Sequence, residues 1–119
     1  MPLAIVSRNS RKIHQAYDKT LFAQLPDTIA QALHVPDSPA SLTAKDIEIW
    51  FRETDSNHRD IRVRDFELII FANHHPARAE NLEERRKQIE EKITPLLPKS
   101  THGYVWIFLG AGAFKHFVT

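Results

Sequence analysis

The chain has no cysteine, only three glycines and one methionine among its 119 residues. Without cysteine there is no disulfide framework, no thiolate zinc site and no thiol nucleophile. Few glycines mean few tight turns, so most of the chain is expected to be regular structure. Charge of one sign is missing too. Sixteen Lys and Arg stand against fifteen Asp and Glu, a formal net charge of +1, so no global field draws the protein to nucleic acid or to an acidic membrane surface. The longest apolar run, residues 104–109, is far short of the ~20 residues that span a bilayer. The first residues carry neither a basic start nor an apolar stretch of signal-peptide length, which leads us to expect a cytoplasmic protein. Length and composition are those of one globular domain.

What is present is a pattern of alternating elements. Residues 3–6 form a branched apolar run that reads as a strand beginning almost at the first residue. Ile13, Tyr17, Leu21, Leu25, Ile29 and Leu33 follow at i,i+4 steps, which predicts an amphipathic helix over 10–33. Pro26 predicts a kink or two abutting helices within it, and Pro36 and Pro39 end it. Residues 46–53 alternate Ile47, Ile49 and Phe51 with Glu48, Trp50 and Arg52, the period of a strand. A polar, basic stretch then precedes two strands apolar on both faces, 66–72 and 104–109. Between them Asn81 and Glu84 suggest a capping box for a helix that buries Leu82, Ile89, Ile93 and Leu96.

The order is strand-helix-strand twice over. It predicts an α+β fold in one domain, residues 1–119. Duplicated β-α-β units, about 2–53 and 66–110, form a four-stranded sheet with two helices on one face. Helices cover only one face, so the apolar second face of the inner strands predicts burial by copies of the same chain.

Pro2 is the residue with the most chemical content. An initiator Met ahead of a small residue is a substrate for removal, and its loss leaves a secondary amine at the head of a core strand. Such an amine has a reference pKa of ~7.7–8.0, and burial lowers it. It can then act as a base near neutrality. A Met-Pro start with no role is the plain alternative.

The opening Pro2-Leu3-Ala4-Ile5-Val6, the strand 46–53 and the doubled β-α-β pattern resemble the tautomerase superfamily, whose members use an amino-terminal proline. Residues 77–86 are similar to the Gly-Arg-Ser-Leu-Glu-Ser-Arg helix start of the 5-carboxymethyl-2-hydroxymuconate isomerase branch. His75-Pro76-Ala77-Arg78 sits where malonate semialdehyde decarboxylases have an arginine-rich turn. The resemblance implies Pro2 as the catalytic amine, Arg78 as a carboxylate binder, and Asp46 as the acid that orients or activates water. It places Arg8 and Arg11 where small tautomerases have another arginine. It also implies a homotrimer acting without cofactor on a small 2-oxo or unsaturated carboxylic acid.

The residue types suit that chemistry on their own terms, since moving a proton alpha to a carbonyl needs a base poised near neutrality and a cation on the adjacent carboxylate. Asp46 also reads as a turn or cap residue, and Arg78 as a solvent-exposed one at the start of a helix. His75 is a further candidate for substrate binding. A metal site on His74-His75 is not expected, because neighbours at a strand end point to opposite faces and no ligand pair sits at i,i+4. Arg59, Arg62 and Arg64 read as a charged strand edge, and the run 83–87 as an ordinary outer helix face. Two other readings stay open: a ferredoxin-like binding or regulatory module, and a tautomerase paralogue inactive because Met1 is retained. The strands lack an aromatic RNA-binding signature, so no nucleic-acid partner is expected.

Overall fold

The computed structural model describes residues 2–54, 65–111 and 117–119. Met1 and the basic residues Arg59, Arg62 and Arg64 lie outside them. The elements run β1 (Leu3–Asn9), α1 (Ala16–Leu33), a 3-10 turn (Ala44–Asp46), β2 (Glu48–Thr54), β3 (Phe66–Asn73), α2 (Pro76–Glu80), α3 (Leu82–Ile93), a second 3-10 turn (Thr94–Leu96) and β4 (Gly103–Gly110).

The strand order is β2-β1-β3-β4. β1 and β2 are parallel, β3 and β4 are parallel, and β1 and β3 run antiparallel at the centre. Each parallel pair is bridged by its own helix, as a parallel connection requires. This is the α+β architecture that the pattern predicts.

The ladders explain why β1 outlasts its apolar run. Ser7 and Arg8 pair with Arg52 and Glu53 on one side and with Glu67 and Phe66 on the other, so neighbours hold the backbone extended where the side chains alone do not. The helix at residues 10–33 is correspondingly shorter than its periodicity predicts. Backbone N–H groups of Lys12 and Ile13 fold back onto the Asn9 carbonyl, and α1 starts at Ala16, whose N–H is taken by Nδ1 of His14 at 3.0 Å. Pro26 breaks nothing: α1 runs through it, anchored on both sides by the fully buried Leu21, Leu25, Ile29 and Leu33. The expected capping box at Asn81 is absent. Its side chain makes no cap and instead accepts from Arg85 Nε at 2.6 Å.

One sheet face carries Ala4, Val6, Leu68 and Ile70, all fully buried under α1 and α3 together with Ile89 and Ile93. The opposite face is open. Its middle row runs Trp50, Ile5, Ile69, Trp106 across the four strands, and its end row joins Leu3, Phe71 and Phe108. Trp50, Phe71, Tyr104, Trp106 and Phe108 are all exposed there, with the Phe71 and Phe108 rings 5.7 Å apart and the Trp106 and Phe108 rings 5.9 Å apart.

Candidate functional site

Pro2 is buried at the head of β1, its carbonyl accepting the Glu48 N–H at 3.0 Å. Because β1 and β3 are antiparallel, the end of β3 arrives beside it, and the chain then turns through His74 and His75 into α2. A third segment, the proline-rich loop after α1, closes the space. Pro2 thus shares a cavity of about 220 Å³ with Pro39, Ala40 and Leu42 from that loop and with Asn73, His74, His75 and Arg78 from the β3 to α2 turn. Three residues singled out in the sequence, Pro2, His75 and Arg78, meet here. His74 and His75 both line it, where opposite faces were expected, because both lie beyond the last residue of β3 and escape its alternation.

Arg78 is not the exposed residue that its sequence position suggests; it is 2% exposed. Its Nε donates to the Leu33 carbonyl at 2.9 Å, Nη1 to Asn73 at 2.7 Å and Nη2 to Ala40 at 3.0 Å. Burial first, then the neighbouring Arg85, lowers its pKa from the ordinary guanidinium value, and an arginine stays charged through such a shift. Three of its five N–H donors are engaged among the described residues. One on each Nη has no partner among the described residues.

His75 is half-buried and caps α2, its Nδ1 accepting the Ala77 N–H at 3.2 Å. The loop wall is pinned by His34, whose Nδ1 accepts the Leu42 N–H at 2.9 Å. Arg85 donates from Nη1 to the Ala32 and His34 carbonyls at 2.8 and 3.1 Å, satisfying carbonyls at the buried C-terminal end of α1. Neither His34 nor Arg85 stands out in the sequence. The run 83–87 reads as an outer face, yet Arg85 lies at i,i+4,i+8 with Ile89 and Ile93, the stripe that faces inward, and this spacing was the available signal.

The other candidates lie outside the cavity. Arg8 sits at the far end of β1, about 20 Å along the strand from Pro2. Its Nε and Nη2 hold Asp18 at 2.7 and 2.9 Å, and Nη1 reaches Glu53 at 3.1 Å and the Ile13 carbonyl at 3.3 Å. Asp18 foremost, then Glu53, raises its pKa. Arg11 is exposed beside that turn, its backbone N–H bound to Asn9 Oδ1. Asp46 is at Pro2's end of the sheet but turns to Thr43, accepting from its backbone N–H at 2.8 Å, the cap role open to it from the sequence.

Larger hollows of about 470 and 590 Å³ flank β4 and α3, and none of the candidates lines them. Among the described residues no group of three His, Asp or Glu side chains gathers to hold a metal, and no helix is long and apolar enough to cross a membrane.

The fold and the cavity at the head of β1 define a class: an α+β protein of two β-α-β units back to back, with the residue that precedes its first strand built into a pocket. No family model matches the chain, and no curated protein does. Solved structures do. One is an F6 fused 4-OT, a wild-type asymmetric trimer, superposing with a TM-score of 0.63 at 13% identity over 90% of this chain and 85% of that one. Another is Pt0534 inactivated by 2-oxo-3-pentynoate, with a TM-score of 0.60 at 12% identity over 91% and 85%. Both are tautomerase-superfamily structures, and the chain has the tautomerase fold.

Proposed function

We propose that this protein is a cofactor-independent tautomerase-like enzyme that shifts a proton on, or hydrates, a small 2-oxo or unsaturated carboxylic acid. The observation that carries this is the meeting of Pro2, Arg78 and His75 around one cavity of about 220 Å³. With Met1 removed, the Pro2 nitrogen is a secondary amine whose burial favours its neutral, basic form. It takes the proton alpha to the substrate's carbonyl while the free Nη donors of Arg78 hold the adjacent carboxylate, and His75 supplies a further polar contact from the same turn. With Met1 attached, the same nitrogen is a tertiary amide and no base.

The exposed aromatic face of the sheet supports assembly as a homotrimer, sheets inward and helices outward, since an apolar patch of this kind marks an interaction surface. The trimeric state of the fused 4-OT fits that reading.

The test compares Met1-free and Met1-retaining protein on phenylenolpyruvate. The Met1-free form is expected to ketonise the enol, its rate rising through one ionisation below the ~7.7–8.0 of an ordinary terminal amine. The Met1-retaining form is expected to be inert. Pt0534 is inactivated by 2-oxo-3-pentynoate, and the Met1-free chain is expected to gain one equivalent of that reagent on Pro2, read by mass spectrometry. Equal turnover by both forms excludes Pro2 as the base.

A further inference from the structure

The hydrogen bond between His75 Nδ1 and the Ala77 N–H, 3.2 Å long, decides more than the start of α2. A ring nitrogen that accepts must carry a lone pair, so the proton of the neutral imidazole resides on Nε2. The rest of the residue is held as well. Its backbone is extended, with φ −145 and ψ 134, its carbonyl accepts the N–H groups of Arg78 and Ala79, both at 2.9 Å, and Pro76 follows with its own φ locked by the ring. His75 therefore lines the cavity that holds Pro2 and Arg78 with its Nδ1 engaged and its proton on Nε2.

We propose that His75 donates a hydrogen bond from Nε2 to the carbonyl oxygen of the substrate and stabilises the negative charge that collects there; this rests on the proton-transfer reading of the cavity given above. In the step, the alpha C–H bond breaks and its proton passes to the Pro2 nitrogen. The electron pair of that bond becomes the C=C bond of the enolate, and the carbonyl π pair moves onto oxygen. No proton leaves His75. Delivery of the proton from Pro2 to the enolate oxygen, or in an unsaturated acid to the conjugated carbon, completes the tautomerisation; ketonisation of an enol is the same path in reverse. Arg78 neutralises the carboxylate in both ground and transition states, whereas the His75 donor meets an oxygen whose charge grows only as the proton leaves. Its effect therefore falls on turnover more than on binding.

Asparagine separates this role from capping. Its Oδ1 accepts the Ala77 N–H as good N-cap residues do, while its Nδ2 donor falls near the place of the imidazole Cδ2, short of the Nε2 position. His75→Asn in Met1-free protein is expected to keep the wild-type melting temperature and a KM within about threefold, and to lose about a hundredfold or more in kcat. An unchanged kcat beside an active wild type makes His75 a cap only and overturns the proposal while leaving Pro2 and Arg78 in place. Long-range ¹⁵N NMR supplies a readout free of turnover. The His75 ring is expected as the Nε2–H tautomer, with Nε2 shifting when oxamate, a carboxylate with a carbonyl beside it, is titrated in. If Met1-free wild type fails to turn over, the proton-transfer reading falls and His75 is judged on NMR alone. The Nε2–H tautomer with an oxamate shift supports the donor; an Nδ1–H tautomer, or no shift, overturns it.

Discussion

Arg78 Nη2 donates to the carbonyl of Ala40 at 3.0 Å, so the cation that lines the cavity together with Pro2 also ties down the loop that closes it. The same guanidinium holds Leu33 at the end of α1 and Asn73 at the end of β3. Truncating it therefore does two things at once. Arg78→Ala is expected to weaken oxamate binding about ten- to a hundredfold through loss of a charge-assisted bond. It also strips three backbone carbonyls of their donor, costing about 2–4 kcal/mol of stability. Read from sequence, the residue promised only the first effect with an intact fold. Binding calorimetry and thermal unfolding on the same sample test both, and an unshifted melting temperature refutes the clamp.

Arg8 is expected to behave in the opposite way. Its partners Asp18 and Glu53 are 29% and 57% exposed at the side chain, so water takes over part of their solvation when the cation goes. Arg8→Met is expected to lose about 1–3 kcal/mol of stability and to leave oxamate affinity unchanged. Weakened binding instead would bring Arg8 into a site completed by another copy of the chain.

Gly103 opens β4 against the start of β3. A Cβ there would stand 2.7 Å from the Phe66 carbonyl oxygen, a backbone atom that cannot swing aside. Gly103→Ala is expected to destabilise the protein by about 1–3 kcal/mol, visible as a lower urea midpoint. Parent-like stability would mean that the β3 and β4 backbones separate more readily than their ladder implies.

Trp106 lies in the middle row of the open sheet face, 40% exposed. Sedimentation is expected to show a trimer at micromolar concentration for the parent and a monomer for Trp106→Glu, because burying a carboxylate among aromatic rings is unfavourable. A monomeric parent would count heavily against the assembly.

The Glu83 carboxylate is held below its usual pKa, chiefly by its hydrogen bond from Arg86, which reaches it at 2.8 Å. A carboxyl with a lowered folded-state pKa stabilises the fold above its unfolded value, and the contribution is lost as pH falls through the lowered one. The pair is fully solvated on the Glu83 side, so its effect is small and screened by salt. Glu83→Gln is expected to flatten the acid limb of the unfolding profile slightly at low ionic strength, and a steeper limb would contradict the pairing.

Much of the fold was legible because its signals are local. The two-residue alternation at 46–53 and the i,i+4 ladder from Tyr17 to Leu33 are statements about neighbours in sequence, and neighbours determine which face a side chain takes. The strand-helix-strand order, repeated, then restricts the sheet to few topologies. Pro2 too was legible as a candidate, since its place ahead of a branched apolar strand is read from neighbouring residues.

What the local pattern could not decide was which distant backbone groups would need a donor. Arg78 meets Ala40 across 38 residues and Arg85 meets Ala32 across 53, and both read as exposed until the end of α1 is laid against α2 and α3. The last carbonyls of any helix lack intrahelical donors, but water serves them until packing excludes it, so the demand that buries these arginines is created by the tertiary structure. Likewise β1 extends to Asn9 because two neighbours hydrogen-bond it, not because Ser7, Arg8 and Asn9 favour a strand. The sequence by itself determined the elements, their amphipathic faces and the place of Pro2 at the head of a core strand. The antiparallel meeting of β1 with β3, which brings Pro2 into one cavity with Arg78 and His75, was decided by packing alone.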